Sequence, residues 1–184
     1  GLLTFEASLE TLKFPPDSLP AIGMFDVLEH LDEPERMVRE ASRTLMLDGL
    51  LIVTVPAFPI LWSQYDEIAG HHRRYTVTTL DSLITKQGFR RVFGSYFFSL
   101  GAPFAAIQRV IPYRLGRRKT EEAMINETQQ LAPKGSTIPR LLRLAGAAEC
   151  KLLSKGRRLP FGSSIGAIYR KDSTIDSGAS LFRR

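Results

Sequence analysis

One stretch decides the fold of this chain: residues 21–55 read AIGMFDVLEHLDEPERMVREASRTLMLDGLLIVTV. The stretch opens with a run, residues 21–27, that is apolar apart from Asp26, and it closes with the β-branched run at residues 50–55. Apolar runs without alternation are typical of strands that are buried on both faces. Between them, residues 32–47 carry apolar side chains at helical spacing. The stretch therefore predicts a βαβ unit with two parallel strands.

The predicted helix has start and stop signals in its sequence. Asp32 is a candidate N-cap, with Glu35 three residues later as in a capping box and Pro34 in the first turn. Asp48 and Gly49 follow the last apolar position, and Gly49 is suited to a left-handed turn that ends the helix.

The rest of the chain continues the alternation of strands and helices. Four more elements are predicted: a short strand at Leu2–Phe5, a helix from Thr78 or Thr79 to Gly88, and strands at Arg91–Phe98 and Ser164–Tyr169. Pro56 and Pro59 interrupt residues 56–69, which predict a long loop at the carboxyl end of a strand. Open α/β sheets bind their ligands at such ends.

The composition excludes several classes of protein. The chain has 184 residues, of which 43% are hydrophobic and 24% charged, as in a soluble globular domain. Cys150 is the single cysteine, so an intrachain disulfide is excluded, and with three histidines a structural zinc site is not expected. No signal peptide is recognisable. The uncharged run at residues 93–107 is too short and too interrupted to span a bilayer.

Charge divides the chain into two unlike halves. Residues 1–90 carry 8 Lys and Arg against 13 Asp and Glu, whereas residues 91–184 carry 17 against 6. A basic half favours a polyanionic partner or an anionic membrane surface, and a solvated basic face is the alternative. No recognised nucleic-acid-binding motif accompanies it, so nucleic acid is not the favoured partner.

Two clusters carry the side chains suited to chemistry. Asp26, Glu29 and His30 lie just beyond the first buried strand, where they either form a site or merely solvate a turn. The second cluster combines Asp66 with the stretch GHHRRY at residues 70–75, which offers anion contacts, a proton acceptor near neutral pH and an aromatic ring. A basic surface loop is the alternative for the second cluster.

The order and spacing of these pieces resemble the class I S-adenosylmethionine-dependent methyltransferases of the bacterial type 11/12 group. The similar pieces are FDVLEHL (25–31), Pro34, RTL (43–45), Asp48 with Gly49, VTVP (53–56), GHHRRYT (70–76), Gly88 with Phe89, and PFGSS (160–164). They extend over most of the chain, to about Lys171.

The resemblance implies an α/β fold, namely part of a Rossmann-like sheet, mostly parallel, with helices on both faces and a basic helical insertion before the last strand. The family's strands three to seven would be Leu2–Phe5, Ala21–Val27, Leu50–Val55, Arg91–Phe98 and Ser164–Tyr169. The methyltransferase domain would cover residues 1–171, with the insertion at about 99–163, and residues 172–184 would form a flexible tail.

The resemblance also implies the cofactor, S-adenosyl-L-methionine, and assigns residues to the site. Four residues are implied to bind the cofactor: Ser8 and Leu9 after strand three, and Phe25 and Asp26 at the end of strand four. His71 and His30 are implied as catalytic bases, and Arg74 and Tyr75 as substrate-binding residues. No metal ligand is expected.

The family's Gly-rich loop after strand one has no counterpart here, since it would lie before Gly1. We therefore expect a piece of a longer enzyme that methylates a small-molecule or lipid-linked acceptor. The alternative is an inactive methyltransferase-like subunit or scaffold that binds a partner or a membrane. A cytoplasmic location is expected, with peripheral contact at the inner membrane face as a further hypothesis for the amphipathic, basic residues 137–158.

Overall fold

The structure is a computed structural model, and it describes residues 8–99, 102–103, 106–120, 123–124 and 138–172. The strand predicted at Leu2–Phe5 and nearly all of the predicted tail lie outside the described residues. Within the described residues the chain forms a sheet of four strands, with helices in the connections between them.

The described residues form four strands and six α-helices, with short helical turns between some of them. The strands are β1 (Leu19–Phe25), β2 (Leu45–Pro56), β3 (Phe89–Phe97) and β4 (Ser164–Lys171). The α-helices are α1 (Leu9–Leu12), α2 (Pro34–Thr44), α3 (Gln64–Ile68), α4 (Val77–Thr85), α5 (Ile111–Arg114) and α6 (Ile138–Ser154). Short 3₁₀ turns occupy Leu28–His30 and Pro59–Leu61, and a π-helical turn occupies Ala106–Val110.

The strand order is β1-β2-β4-β3, and this order corrects the prediction of a mostly parallel sheet. β1 and β2 are parallel, as the βαβ pattern predicts. β4 lies between β2 and β3 and runs against both, so two of the three described pairings are antiparallel. The reversal of this one strand is the physical reason for the difference.

The core lies on one face of the sheet. Leu51, Val53 and Val55 of β2 are fully buried, whereas alternate residues of the same strand are only half-buried. Helices α2 and α4 contact each other and pack on this face through side chains such as Val38 and Ile84. In the described residues the layer of α2 and α4 therefore covers this face, and the prediction of helices on both faces stays a prediction for the other.

The helix and strand boundaries differ from prediction around α2. The N-cap is Glu33, without a side-chain capping bond, so the predicted box between Asp32 and Glu35 does not form. The helix ends at Thr44, because β2 already begins at Leu45.

The left-handed residue lies one position earlier than predicted, at Asp48 instead of Gly49. Asp48 takes the left-handed backbone conformation, with a φ of 64°. Gly49 is instead needed for space, because a Cβ there would lie 2.8 Å from the backbone oxygen of Met46. The two residues thus form an irregularity inside β2 rather than the end of a helix.

The segment predicted as an insertion carries α5 and α6 and is described only in part. The side chain of Glu149 in α6 accepts hydrogen bonds from the backbone N–H groups of Phe98 and Ser99, both at 2.8 Å, and so attaches the helix to the end of β3. Among the described helices, none combines the length and apolar character that crossing a membrane requires.

Candidate functional site

The site lies at the carboxyl ends of β1 and β2, which point the same way because the two strands are parallel. Asp26 follows β1 with a φ of 52°, and this left-handed residue turns the chain away from the sheet. Its backbone N–H donates to the carbonyl of Thr54 at 3.0 Å, and the Thr54 hydroxyl donates to its carboxylate at 3.2 Å. The turn leaves the side chain of Phe25 63% exposed.

Two segments distant in sequence are joined at this edge by backbone hydrogen bonds. The N–H of Tyr75 donates to the carbonyl of Pro56 at 2.9 Å, and the N–H of His72 donates to the carbonyl of Glu29 at 2.7 Å. The Tyr75 hydroxyl adds a bond to the Leu28 carbonyl at 3.2 Å. The loop after α3 is therefore held against the turn that follows β1.

The side chain of Asp66 holds this loop in place through hydrogen bonds. Its side chain is 1% exposed, and its Oδ2 accepts from the N–H of Ser63 at 2.8 Å and from the Ser63 hydroxyl at 3.1 Å. Its Oδ1 accepts from Arg74 Nε at 2.7 Å and lies 3.0 Å from His71 Nδ1. Burial alone would raise the pKa of Asp66, but the hydrogen bonds and positive charge of Arg74, with His71 and Ser63, outweigh burial and lower it.

The two predicted catalytic histidines meet above Asp66. The ring centroids of His30 and His71 lie 4.7 Å apart, with the rings edge to face at 78°. His30 Nδ1 is 3.3 Å from the carbonyl of Gly70, whose φ of 69° turns the chain between α3 and His71. Because each Nδ1 faces an oxygen of the protein, Nε2 is the ring nitrogen left to bind a proton or a ligand.

Glu29 lies beneath the histidines and is the least satisfied group of the site. It is fully buried, and its two carboxylate oxygens lack a hydrogen-bond partner among the described residues. Burial raises the pKa of Glu29 to about 7; its own backbone amide, His30 and Arg74 oppose the rise, while Asp26 adds to it. One ligand atom each from Glu29, His30 and His71 lies within 4.8 Å of the others.

The other predicted site residues lie apart from the histidines or have partners within the protein. Ser8 caps α1, where its hydroxyl accepts from the N–H of Thr11, and Leu9 packs against the core. Arg74 is bound by Asp66 and by the carbonyl of Ala57, at 3.0 Å. Tyr75 is only 5% exposed, and burial raises its pKa to about 12. The assignments of these residues to cofactor and substrate stay predictions.

Two important residues were not assigned a role from the sequence. Asp66 was named in the second cluster, and its supporting role could have been predicted, because Ser63 precedes it by three residues in the spacing of a capping box at the start of α3. The burial of Glu29 leaves no comparable signal, since it depends on the turn Leu28–His30 and on the loop that covers it.

Comparisons with known proteins agree with this architecture. Residues 2–53 match a family model described as a methyltransferase domain. The chain is also 34% identical over 86 residues to proteins of two Mycobacterium tuberculosis strains, CDC 1551 and H37Rv, described as probable S-adenosylmethionine-dependent methyltransferases. The matched segment covers 46% of this chain and 31% of each relative, so the chain spans less than a third of the length of these curated relatives.

Solved structures include a similar fold. A chain in the complex between the Haloferax volcanii Trm112 methyltransferase activator and a protein described as a methyltransferase superposes with a TM-score of 0.50. The match covers 90% of this chain and 60% of that one, at 12% sequence identity, and at that identity it bears on the fold alone. Residues 2–53 thus resemble a methyltransferase domain in sequence, and the chain as a whole is similar in fold to this solved structure.

Proposed function

We propose that this chain supplies the acceptor side of an enzyme that transfers a methyl group from S-adenosylmethionine to a small-molecule or lipid-linked acceptor. The observation that carries the proposal is the convergence of His30 and His71 above the buried Glu29, at the carboxyl end of β1. In a parallel βαβ unit this edge is where a ligand is expected.

The residues at the end of β1 fit one side of the cofactor. S-adenosylmethionine supplies an electrophilic methyl group when it is bound. The exposed ring of Phe25 offers an apolar surface, and the adjacent carboxylate of Asp26 suits a positively charged group. The opposite side, with the family's Gly-rich loop, would be contributed by residues upstream of Gly1.

His71 is the better placed of the two histidines to accept a proton from the acceptor. The carboxylate of Asp66 holds its Nδ1–H at 3.0 Å, so the lone pair is kept on Nε2 and the imidazolium formed by protonation is stabilised. His30, packed edge to face against it, limits the orientations of the ring. Arg74 acts in this proposal as a positioning residue that holds Asp66.

An apolar cavity at the same edge supports an acceptor with a hydrocarbon portion. The cavity has a volume of about 310 Å³ and lies between the loops that follow β2 and β3 and the loop before β4. It is lined by Phe58, Ile60, Leu61, Ala102, Ala106 and Phe161, among others. Ile60 and Phe161 are 63% and 47% exposed, so apolar surface is available to an acceptor.

Cofactor binding is the first test. S-adenosylhomocysteine is titrated calorimetrically into the purified chain and into a version that is extended upstream in its own reading frame. We expect the extended version to bind more tightly, since it adds the second side of the pocket. Binding by neither protein would contradict the proposal and would favour the alternative, a non-catalytic subunit.

Substitutions of two adjacent histidines, His71 and His72, test the proposed role of His71 as the base. In the active extended version His71→Ala should lower the methyl-transfer rate by about 10²–10⁴-fold, the usual contribution of a positioned general base. The matched control is His72→Ala, because the side chain of His72 is half exposed and pairs with Asp32 at the surface. Equal rates for the two variants would exclude the role of His71.

A second candidate function, contact with an anionic membrane surface, is supported by helix α6. Leu144 and Leu152 lie on one face of the helix and are 66% and 42% exposed, with Arg143 and Lys151 beside them. Exposed apolar residues flanked by basic ones are typical of helices that lie on membranes.

Sedimentation with lipid vesicles tests this candidate. The chain should sediment with phosphatidylglycerol vesicles, lose that binding at high salt, and not sediment with phosphatidylcholine vesicles. Leu144→Asp should abolish binding, whereas the control Arg39→Glu on the exposed side of α2 should not. Binding that survives Leu144→Asp would assign the interaction to another surface.

A further inference from the structure

We propose that Glu29, His30 and His71 form a binding site for one divalent transition-metal ion. The three residues come from two segments, the 3₁₀ turn after β1 and the loop after α3, and offer ligand atoms within 4.8 Å of one another. The site requires neither the cofactor nor the acceptor. It uses the Nε2 atom of His71 to which the proposed function assigns proton transfer, so His71 acts as a base only in the metal-free chain.

The first argument is the state of Glu29. It is 0% exposed, yet neither of its carboxylate oxygens has a hydrogen-bond partner among the described residues. A buried carboxylate is costly unless it is paired or coordinates a metal, and each unsatisfied buried group in a native structure needs a reason. A cation placed between Glu29 and the two histidines supplies that reason.

The second argument is how the histidines are held. Asp66 accepts from His71 Nδ1 at 3.0 Å, and the carbonyl of Gly70 lies 3.3 Å from His30 Nδ1. Metal-binding histidines usually donate their other ring N–H to a carboxylate or a backbone carbonyl, which fixes the tautomer and the direction of the ring. Here a carboxylate supports His71 and a backbone carbonyl supports His30, so Nε2 of both rings is left for a metal.

The third argument is that the two segments are joined before any ion binds. The N–H of His72 donates to the carbonyl of Glu29 at 2.7 Å, so the backbone next to His71 is fixed to the backbone of a second ligand. Two atoms that are each about 2.1 Å from an ion lie at most about 4.2 Å apart. The observed separations reach up to 4.8 Å, so the ligand atoms have to approach one another by roughly half an ångström when an ion binds.

The ligand set indicates the class of metal. Two imidazole nitrogens and one carboxylate suit Zn²⁺, Fe²⁺, Mn²⁺ or Co²⁺, whereas Mg²⁺ and Ca²⁺ prefer sites built from oxygen atoms. His30 is exposed and His71 partly so, which leaves one side of the ion open to water or to an oxygen atom of a ligand. Three protein ligands with an open position are typical of catalytic rather than structural sites.

The site is tested on the whole chain after removal of metal with a chelator. Zn²⁺ is titrated calorimetrically, and Co²⁺ is followed by its visible absorption bands. We expect one equivalent of each to bind, and Mg²⁺ at the same concentrations not to bind. Glu29→Gln and His71→Ala should each weaken Zn²⁺ binding by about 100-fold or more, at least the loss that removing a supporting residue causes.

The matched control is His72→Ala, whose side chain is paired with Asp32 and lies outside the cluster. Its affinity for Zn²⁺ should equal that of the unchanged chain. Circular dichroism and urea unfolding of each variant verify the fold, and Glu29→Gln is isosteric, so loss of structure is not expected. Absence of Zn²⁺ binding, or equal binding by Glu29→Gln and the unchanged chain, would overturn the proposal. Neither outcome would bear on S-adenosylhomocysteine binding.

Discussion

Asp66 and Glu29 are two carboxylates buried at the same edge of the sheet, with exposures of 1% and 0%, but they differ in their partners and in the direction of their pKa shifts. Asp66 accepts hydrogen bonds from Ser63, His71 and Arg74, and its pKa is lowered. Glu29 has no partner among the described residues, and burial raises its pKa to about 7. Burial by itself therefore does not define a carboxylate's role, because the partners decide its charge.

The difference indicates that Asp66 supports the site, whereas Glu29 belongs to its reactive part. Asp66 uses its hydrogen-bonding capacity within the protein, so its role is to hold Arg74 and His71 in place. Glu29 leaves its capacity unused at a cost in stability, and residues that cost stability are commonly functional. Changes at the two positions should accordingly alter stability in opposite directions.

The largest effect is expected from Asp66→Ala. Removal of this carboxylate leaves the guanidinium of Arg74, only 14% exposed, without its charged partner. Breaking a buried pair in this way costs about 3–5 kcal/mol in the free energy of unfolding. Urea unfolding measures the change, with Asp32→Ala as control, because Asp32 is 85% exposed and its removal should cost under about 1 kcal/mol. Similar losses for the two variants would mean that Asp66 does not support the site.

The next effect is stabilisation by metal. Zn²⁺ at 100 times its dissociation constant should raise the free energy of unfolding by about 2.7 kcal/mol, the linkage expected for a ligand that binds the folded state alone. Glu29→Gln should show no such rise under the same conditions. A rise of equal size in that variant would indicate that the ion binds elsewhere, for example at the exposed Cys150.

The sheet was more accessible to sequence reasoning than the site was. The apolar runs predicted β1 and β2 as a parallel pair, and strands were also predicted at the positions of β3 and β4. The direction of β4 relative to β2 could not be predicted from hydrophobic periodicity, since periodicity indicates which faces of a strand are buried and not which way its neighbour runs.

The site depended on contacts that local patterns do not encode. His30 and His71 were selected as separate candidates, but their approach to 4.7 Å results from hydrogen bonds between segments some 40 residues apart in sequence. The burial of Glu29 likewise results from the loop that crosses it. Sequence alone assigned a role to both histidines, whereas it named Glu29 only as a member of the cluster after β1.

A smaller effect, opposite in sign to that at Asp66, is expected from Glu29→Met without metal. Methionine has a similar volume and no polar group to desolvate, so the free energy of unfolding should rise by about 1–2 kcal/mol. Urea unfolding in the presence of a chelator tests this, with Glu35→Met on the exposed side of α2 as control. A loss of stability at position 29 would indicate that the carboxylate has a stabilising partner.

The smallest effect is expected from Ser63→Ala, which measures the contribution of one hydrogen-bond partner of Asp66. Ser63→Ala removes the hydroxyl that donates to Oδ2 at 3.1 Å but keeps the backbone N–H that donates to the same oxygen at 2.8 Å. The stability should fall by about 1 kcal/mol, the usual cost of losing a capping hydroxyl. His71 and Arg74 bind the other oxygen, Oδ1, so Zn²⁺ affinity should stay unchanged in calorimetry. A large loss of affinity would mean that the geometry of His71 depends on the whole cluster rather than on its own bond to Asp66.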